Sequence, residues 1–226
     1  AAVANYLAYA DGEKGAEVYV AAHDRDQAAI CWGAAGSMVR SSPELNAMSK
    51  IVDHTKRIVI PGTESFIRAI ASDAAGSHGF NAHGIIFDEF HTQRTSDLFD
   101  VLMTSTAARR QPLVFIITTA GVYSPESPCV RLYEYAKRVE SGEIVDETFL
   151  PVIYEADAEA EWDNPATWAQ ANPSLGVTVQ LDYLEREAVK ARELPSYRNT
   201  FETLHLCRWV QQETRWINPE LWDSAN

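Results

Sequence analysis

Residues 84–121 read GIIFDEFHTQRTSDLFDVLMTSTAARRQPLVFIITTAG. The stretch opens with an apolar run, Ile85-Ile86-Phe87, that meets two adjacent acids, Asp88 and Glu89. A helical pattern follows, and a second apolar run, Leu113 to Ile117, leads into Thr118-Thr119-Ala120-Gly121. Two runs of buried-strand type joined by a helix predict a βαβ unit with a parallel sheet. In open sheets of this kind, ligands sit beyond the carboxyl ends of the strands. Those ends carry Asp88-Glu89 and Thr118-Thr119, so polar side chains gather where chemistry is expected.

The flanking sequence extends the pattern. Residues 1–10, AAVANYLAYA, predict a helix that stops at Asp11-Gly12. EVYVAA (17–22) predicts a strand, His23 to Asp26 a turn and cap, and Gln27 to Val39 a helix broken at Ser41-Ser42-Pro43. A short helix is expected over Pro43 to Lys50. Arg57 to Ile60 and Ser65 to Ala71 read as a hairpin around Pro61-Gly62, and residues 72–83 as a mobile loop. Downstream, Cys129 to Ser141 predicts a helix and Thr148 to Tyr154 a further strand. The acidic run EADAEAEWD (155–163) predicts solvated surface. Helices are expected over Pro165 to Ala171, Leu181 to Glu193, and Pro195 to about Leu206.

The totals bound the function. The chain has 226 residues, 46% of them hydrophobic, and a formal net charge of −13. That length suits one large domain, or a domain with a smaller attachment. No apolar run is long enough to cross a membrane and no signal peptide is evident, so a cytoplasmic location is expected. The acidity argues against a free-standing nucleic-acid binder, though not against a motor that touches DNA through a few loops or in a ring. Cys31, Cys129 and Cys207 form no CxxC pair and read as reduced structural cysteines. The histidines show no zinc-like spacing.

A strand ending in Asp-Glu is the Walker B pattern of many ATPases. The first acid, Asp88, holds magnesium through water, because that ion keeps much of its hydration shell. The second, Glu89, orients the attacking water. The competing reading is two surface acids at a strand end, capping the next helix. Thr118 to Gly121 admits two readings as well: a contact to the γ-phosphate or its water, or a strand that turns at Gly121. Arg68, on the strand before the loop, is a candidate arginine finger acting on a neighbouring subunit, against a surface arginine in a hairpin. Arg25, Arg109 and Arg110 are weaker candidates, and Arg109-Arg110 is expected to supply positive charge at a helix C-terminus. Trp162, Trp168, Trp209, Trp216 and Trp222 are expected to pack rather than to stack on bases.

GFNAHGIIFDEFH (79–91), FIITTAG (115–121) and WDNPATWAQANPSLG (162–176) together resemble the large terminase subunit of tailed bacteriophages. VYVAAHDRDQAAICW (18–32) resembles the second strand and helix of the same family. The resemblance implies an α/β fold of the P-loop NTPase type, in its additional-strand class: a mostly parallel sheet flanked by helices, with a small, mainly helical lid. Residues 1–141 would be the ATPase core and 142–226 the lid and linker. By motif position, Asp88 would bind Mg2+, Glu89 would be the catalytic carboxylate, and Thr118, Thr119, Ala120 and Gly121 would form the coupling motif. ATP would be the substrate. Double-stranded DNA, the portal protein and the small terminase subunit would be partners of a homo-oligomeric ring, working in the host bacterial cytoplasm and at the procapsid portal vertex.

One departure is plain: no G-x-x-x-x-G-K-[ST] occurs in these 226 residues. The chain is therefore expected to begin just after the phosphate-binding loop and to stop before the family's nuclease domain. It is expected not to hydrolyse ATP efficiently or cut DNA by itself. Loss of the strand before that loop should leave a gap in the sheet or force rearrangement. The alternative to an ATPase portion is a non-catalytic prophage remnant that keeps the motor fold. A helicase-type ATPase is a weaker third reading.

Overall fold

A computed structural model describes residues 1–76 and 79–211. The chain divides into two compact units, Ala1–Thr118 and Thr119–Asn226.

The first unit is an α/β layer. In chain order it contains α1 (Ala2–Tyr9), β1 (Glu17–Ala21), α2 (Arg25–Ser41), α3 (Pro43–Ala47), β2 (Lys50–Val52), β3 (Arg57–Ile60), β4 (Ser65–Ile70), β5 (Ala82–Phe87), α4 (Asp97–Ser105) and β6 (Leu113–Ile116). The strands form one sheet in the order β2-β3-β4-β1-β5-β6. Strands β4, β1, β5 and β6 run parallel, and the β2-β3-β4 meander is antiparallel. The expected α/β fold and βαβ unit are present, in a mixed sheet.

Local chemistry explains the boundaries. The Asp24 carboxylate accepts from the Asp26 and Gln27 amides, both at 2.9 Å, and so starts α2. Ser42 caps α3 by accepting from the Leu45 amide, with Pro43 at the first helical position. Alternation then sorts the strands. Val18, Val20, Ile67, Ala69 and Ile86 face α1 and α2, together with Ala4, Leu7, Ala28 and Trp32. Gly84 lets α1 sit directly on β5: a Cβ there would stand 2.7 Å from Leu7 Cδ1 and 3.2 Å from Val18 Cγ1. On the opposite face, Phe87 packs edge-on to Phe90 at 5.3 Å and against Phe99 of α4 at 5.7 Å.

Several expectations need correction here. The third helix is shorter than expected, because Lys50 opens the edge strand β2. The stretch 72–83 is not one loop. Ser72–Gly76 forms a 3-10 turn, and Ala82 and His83 already belong to β5. His83 is buried there at 1% exposure, 2.5 Å from the Asp11 carboxylate. The sheet has no internal gap among the described residues. What it has is an unpaired outer edge on β6, where Leu113, Phe115 and Ile117 stand 40%, 41% and 47% exposed.

The second unit is mainly helical: α5 (Pro128–Glu140), α6 (Pro165–Ala171), α7 (Leu181–Glu193) and α8 (Pro195–Leu206). Trp168, Leu184, Ala188, Ala191, Phe201 and Leu206 form its core. Pro165 and Pro195 each stand in the first turn of their helix. The strand expected over Thr148 to Tyr154 does not form. The segment lies outside any ladder, and its alternate side chains Leu150, Val152 and Tyr154 are exposed at 85%, 64% and 53%. The apolar alternation is genuine, but no described strand lies beside it to take its hydrogen bonds. Trp162 packs on Phe201, and Trp209 on Tyr133, so the packing reading holds for the described tryptophans. Trp216 and Trp222 lie outside the described residues.

Candidate active site

Strand β5 is buried along its whole length and emerges only at Asp88 and Glu89, both half-buried. The Asp88 amide still donates to Ala21 O at 3.0 Å, so β1 holds the acid in strand register. Alternation from Ile86 places Asp88 on the α1–α2 face. Its carboxylate accepts no hydrogen bond from any other described residue.

At Glu89 the backbone turns sharply. Its φ of 51° and ψ of 52° lie in the left-handed region, unusual for a residue with a Cβ. Such a conformation costs on the order of 1–3 kcal/mol and persists where the surroundings hold it. Here the Thr92 amide donates to Glu89 O at 3.0 Å, and the Thr92 hydroxyl to the same oxygen at 2.8 Å. The Phe90 ring is fully buried. The turn aims the Glu89 carboxylate outward at 43% exposure.

Two backbone bonds join this turn to the end of β6. The Ile117 amide donates to Phe87 O at 2.9 Å, and the Phe90 amide to Ile117 O at 3.3 Å. Thr118 therefore stands beside the acids. The side chain between them is His91. Its backbone N–H donates to Thr118 Oγ1 at 2.9 Å, its Nδ1 lies 3.1 Å from the same oxygen, and Nδ1 lies 3.3 Å from Glu89 Oε2. Burial lowers the His91 pKa below its ordinary value, and the Glu89 charge partly opposes that shift. The ring is thus neutral at pH 7.

The structure brings together Asp88, Glu89 and Thr118. It places Thr119, Ala120 and Gly121 in the second unit, where Gly121 O accepts from the Val210 amide at 3.1 Å. Arg68 is set apart. It is exposed on β4, in register with Tyr19 of β1 and through it with Ile85 of β5. That is two strands across from Asp88, roughly 10 Å, and three residues back, roughly another 10 Å. Alternation also puts it on the opposite face. Arg25 pairs with Asp73 at 3.3 Å on the surface. Arg109 stands, as expected, at the C-terminal end of the helical turn that follows α4, and its side chain has a further role. Its guanidinium donates to Asn81 O and Gly15 O at 2.8 and 2.7 Å and pairs with Glu13 at 2.9 Å, tying together the loops that feed β1 and β5.

His91 is a site residue that sequence reasoning missed. A signal was present, because it stands two places after Glu89. Only the tight turn, however, brings it back to the threonine 27 positions on. Among the described residues, no group of three or more His, Cys, Asp or Glu side chains is placed to hold a metal ion. Magnesium at a nucleotide needs fewer, since one or two carboxylates, water and phosphates complete its shell. Asp88, with no competing hydrogen bond from the described residues, fits that requirement.

The site thus lies on a mixed six-stranded sheet flanked by helices, with adjacent acids at the end of β5 and a threonine at the end of β6. The family model for "Terminase large subunit, ATPase domain" matches residues 2–138, and this chain belongs to that family. A second model, "Terminase large subunit, endonuclease domain", matches residues 143–226. The chain is 26% identical over 209 residues to the terminase large subunit of Enterobacteria phage HK97, covering 92% of this chain and 40% of that one. It is 32% identical over 147 residues to protein YmfN of Escherichia coli strain K12, covering 65% of this chain and 32% of that one.

In fold, it matches the crystal structure of the HK97 bacteriophage large terminase with a TM-score of 0.80 and 24% identity, over 98% of this chain and 46% of that one. It also matches the ATPase domain of the Thermus phage P74-26 large terminase with a TM-score of 0.59 and 14% identity, over 92% of this chain and 81% of that one. The chain thus spans less than half the length of these curated relatives. For the second unit the comparisons differ. The family model names an endonuclease domain, whereas a solved ATPase domain superposes on all but 8% of the chain.

Proposed function

We propose that this chain carries most of the ATPase machinery of a phage DNA-packaging motor. Asp88 and Glu89 serve nucleotide hydrolysis, and Thr118 is part of a coupling element that runs on through Thr119, Ala120 and Gly121. One observation carries the reading: Asp88, Glu89 and Thr118 meet at adjacent carboxyl ends of β5 and β6. That is where an α/β sheet binds its ligand.

The residues divide the work by position. Asp88, held in strand register, with a carboxylate that accepts no hydrogen bond from another described residue, would hold Mg2+ through water. The chemistry supplied at that carboxylate would be neutralisation of phosphate charge. Glu89, turned outward and partly exposed, is placed to accept a hydrogen bond from a water molecule and orient it for in-line attack. Arg68, exposed and remote from Asp88, is suited only to a site on a neighbouring subunit. We further assign residues up to about 141 to the ATPase core, and α6 to α8 with their own small core to a lid and linker. The fold match to a solved ATPase domain supports this. By family, the partners are double-stranded DNA, the portal protein and the small terminase subunit. The setting is a subunit ring in the host cytoplasm, at the procapsid portal vertex during packaging. No helix among the described residues is long and apolar enough to cross a membrane.

The test is magnesium–ATP binding to the chain, followed by thermal shift. A ligand that binds only the folded state stabilises by about 2.7 kcal/mol at a hundredfold excess over Kd. A shift that disappears in Asp88→Ala supports the reading. No shift at millimolar nucleotide, or a shift indifferent to Asp88→Ala, overturns it.

A further inference from the structure

We propose that Arg57 and Arg68 form an anion-binding site on the face of the sheet opposite α1 and α2, and that it takes a phosphate with two negative charges, as the free ion or as a terminal phosphate monoester. The two arginines belong to β3 and β4, apart from Asp88, Glu89 and Thr118. The site therefore stands whether or not the strand-end acids serve nucleotide hydrolysis.

Arg57 and Arg68 are direct cross-strand partners in the antiparallel β3–β4 pair. Side chains so placed share one face with Cβ atoms about 4.5–5.5 Å apart, and like charges there destabilise the pair. Alternation sets the face, because Ile58 and Ile67, each next in sequence to one of the arginines, belong to the core under α1 and α2. The Arg57 guanidinium carbon lies 3.9 Å from the Phe66 ring centroid, a cation–π contact that holds the charge over the sheet. Tyr19 meets the same ring edge-on at 5.7 Å. Arg68 is exposed. Although the chain has 32 Asp and Glu residues against 19 Lys and Arg, neither arginine has a carboxylate oxygen within 4.0 Å among the described residues. Glu17, the acid on the same face of β1, is engaged elsewhere: its Oε2 accepts from the Tyr19 hydroxyl at 2.6 Å and from the Asn81 amide at 3.0 Å. The Arg57 Nε is buried without a hydrogen-bond partner among the described residues, and an unmet buried donor is costly.

Two adjacent guanidinium groups without a counter-charge define the ligand. One carboxylate would leave one of the two positive charges unmet. A phosphate monoester carries about −1.5 to −2 charges at pH 7 and three acceptor oxygens. It balances both arginines at once, and the planar fork of arginine matches phosphate oxygens in pairs. A phosphodiester, with a single negative charge per phosphate, is the poorer match. Bound phosphate also turns the repulsion across the β3–β4 pair into a bridged contact.

The test is a titration of the 15N-labelled chain with sodium phosphate at about pH 7.5, with sodium chloride holding the ionic strength constant, read at the amide and arginine Nε–H resonances. Saturable shifts centred on Arg57 and Arg68 are expected. Arg57→Gln and Arg68→Gln should each weaken binding by about tenfold or more. Arg138→Gln, an equal change of charge on an exposed arginine of the second unit, should leave it unchanged. Arg68→Lys should recover only part of the affinity, because it keeps the charge and loses the fork. Affinity for phosphate should fall between about pH 7.5 and 5.5 as its second charge is lost, while sulfate, which keeps both charges, should bind equally at the two. Shifts that do not saturate, or binding indifferent to both glutamine substitutions, overturn the proposal. Melting curves guard against a misfolded variant. In chloride alone Arg68→Gln should melt no lower than the wild type, and phosphate should raise the melting temperature of the wild type only; an equal rise in both overturns the site. AMP separates the sources. Affinity no greater than that of inorganic phosphate assigns the site to the free ion, and a tenfold preference for AMP assigns it to a nucleotide's terminal phosphate. Displacement of phosphate by a DNA duplex with 5′-hydroxyl ends, at a lower concentration of phosphate groups, would overturn the two-charge reading in favour of a phosphodiester backbone. No magnesium enters these titrations. A magnesium–ATP thermal shift lost in Asp88→Ala reports the strand-end acids, and one lost only in Arg57→Gln reports this site, so either reading can fail without the other.

Discussion

Strands β5 and β6 are both short apolar runs, and nothing in AHGIIF or LVFI tells them apart as strands. Yet every residue of β5 is buried, while β6 alternates between exposed and half-buried. The difference lies in neighbours. Strand β5 has β1 on one side, β6 on the other, α1 below and the Phe90–Phe99 cluster above. Strand β6 has β5 on one side and, among the described residues, nothing on the other. A parallel strand rich in Leu, Phe and Ile is built for burial on both faces. An open edge with 40% or more of Leu113, Phe115 and Ile117 exposed is a place where further chain, or another copy, can pair.

The largest expected effect tests this contrast directly. Phe87→Ala, at full burial in β5, should cost about 3–5 kcal/mol in chemical denaturation. Phe115→Ala should cost under about 1 kcal/mol, because its ring is already partly in water. Equal costs would break the distinction between the strands. The edge itself is probed by Phe115→Lys, which should reduce self-association in sedimentation velocity with little loss of stability. If association is unchanged, the β6 edge is not the adhesive surface.

Next in size is Arg109→Ala. The guanidinium is 7% exposed, and losing it leaves the Asn81, Lys14 and Gly15 carbonyls and Glu13 without that donor. Glu13 remains partly in water, so the cost should be about 2 kcal/mol rather than the larger penalty of a fully buried pair. A neutral result would mean that these loops do not depend on the arginine for their closure.

At the opposite end of β5 the sign reverses. Glu89 occupies a left-handed backbone that glycine adopts without strain. Glu89→Gly should therefore stabilise the fold by about 1 kcal/mol while removing the carboxylate assigned to water activation. A destabilised variant would mean that the Glu89 side chain contributes more to the fold than its contact with His91 suggests.

These contrasts mark what the sequence could carry. The βαβ unit, the strand ends and the acids were legible, because periodicity and punctuation are local signals. So were α2, α6, α7 and α8, each with a helical pattern and most with an Asp or Asn cap or a proline at the start. Three things were not. Strand β2 is only three residues long, too short for a period. Thr148 to Tyr154 has the strand pattern but no described partner, and pairing is not a local property. His91 became part of the site only through the left-handed turn at Glu89, and no sequence signal marks a strained non-glycine residue.

The smallest effect compares the two units. Each holds one half-buried histidine whose pKa is lowered chiefly by burial, with a glutamate opposing: His91 beside Glu89, and His205 beside Glu187. In both, the unfolded chain binds the proton more readily than the folded one. Their contribution to stability is therefore intact above the ordinary histidine value of 6.5 and declines as pH falls from there through the lowered folded values. Denaturant unfolding from pH 7.5 to 5 should show stability falling with acid. His205→Gln should flatten the slope, because Gln keeps much of the ring's volume without a charge to acquire. His91→Asn should flatten it independently, since the two histidines sit in different units. If only one substitution changes the slope, the remaining acid sensitivity belongs to groups outside this pair, and the two histidines are not equivalent despite their matching surroundings.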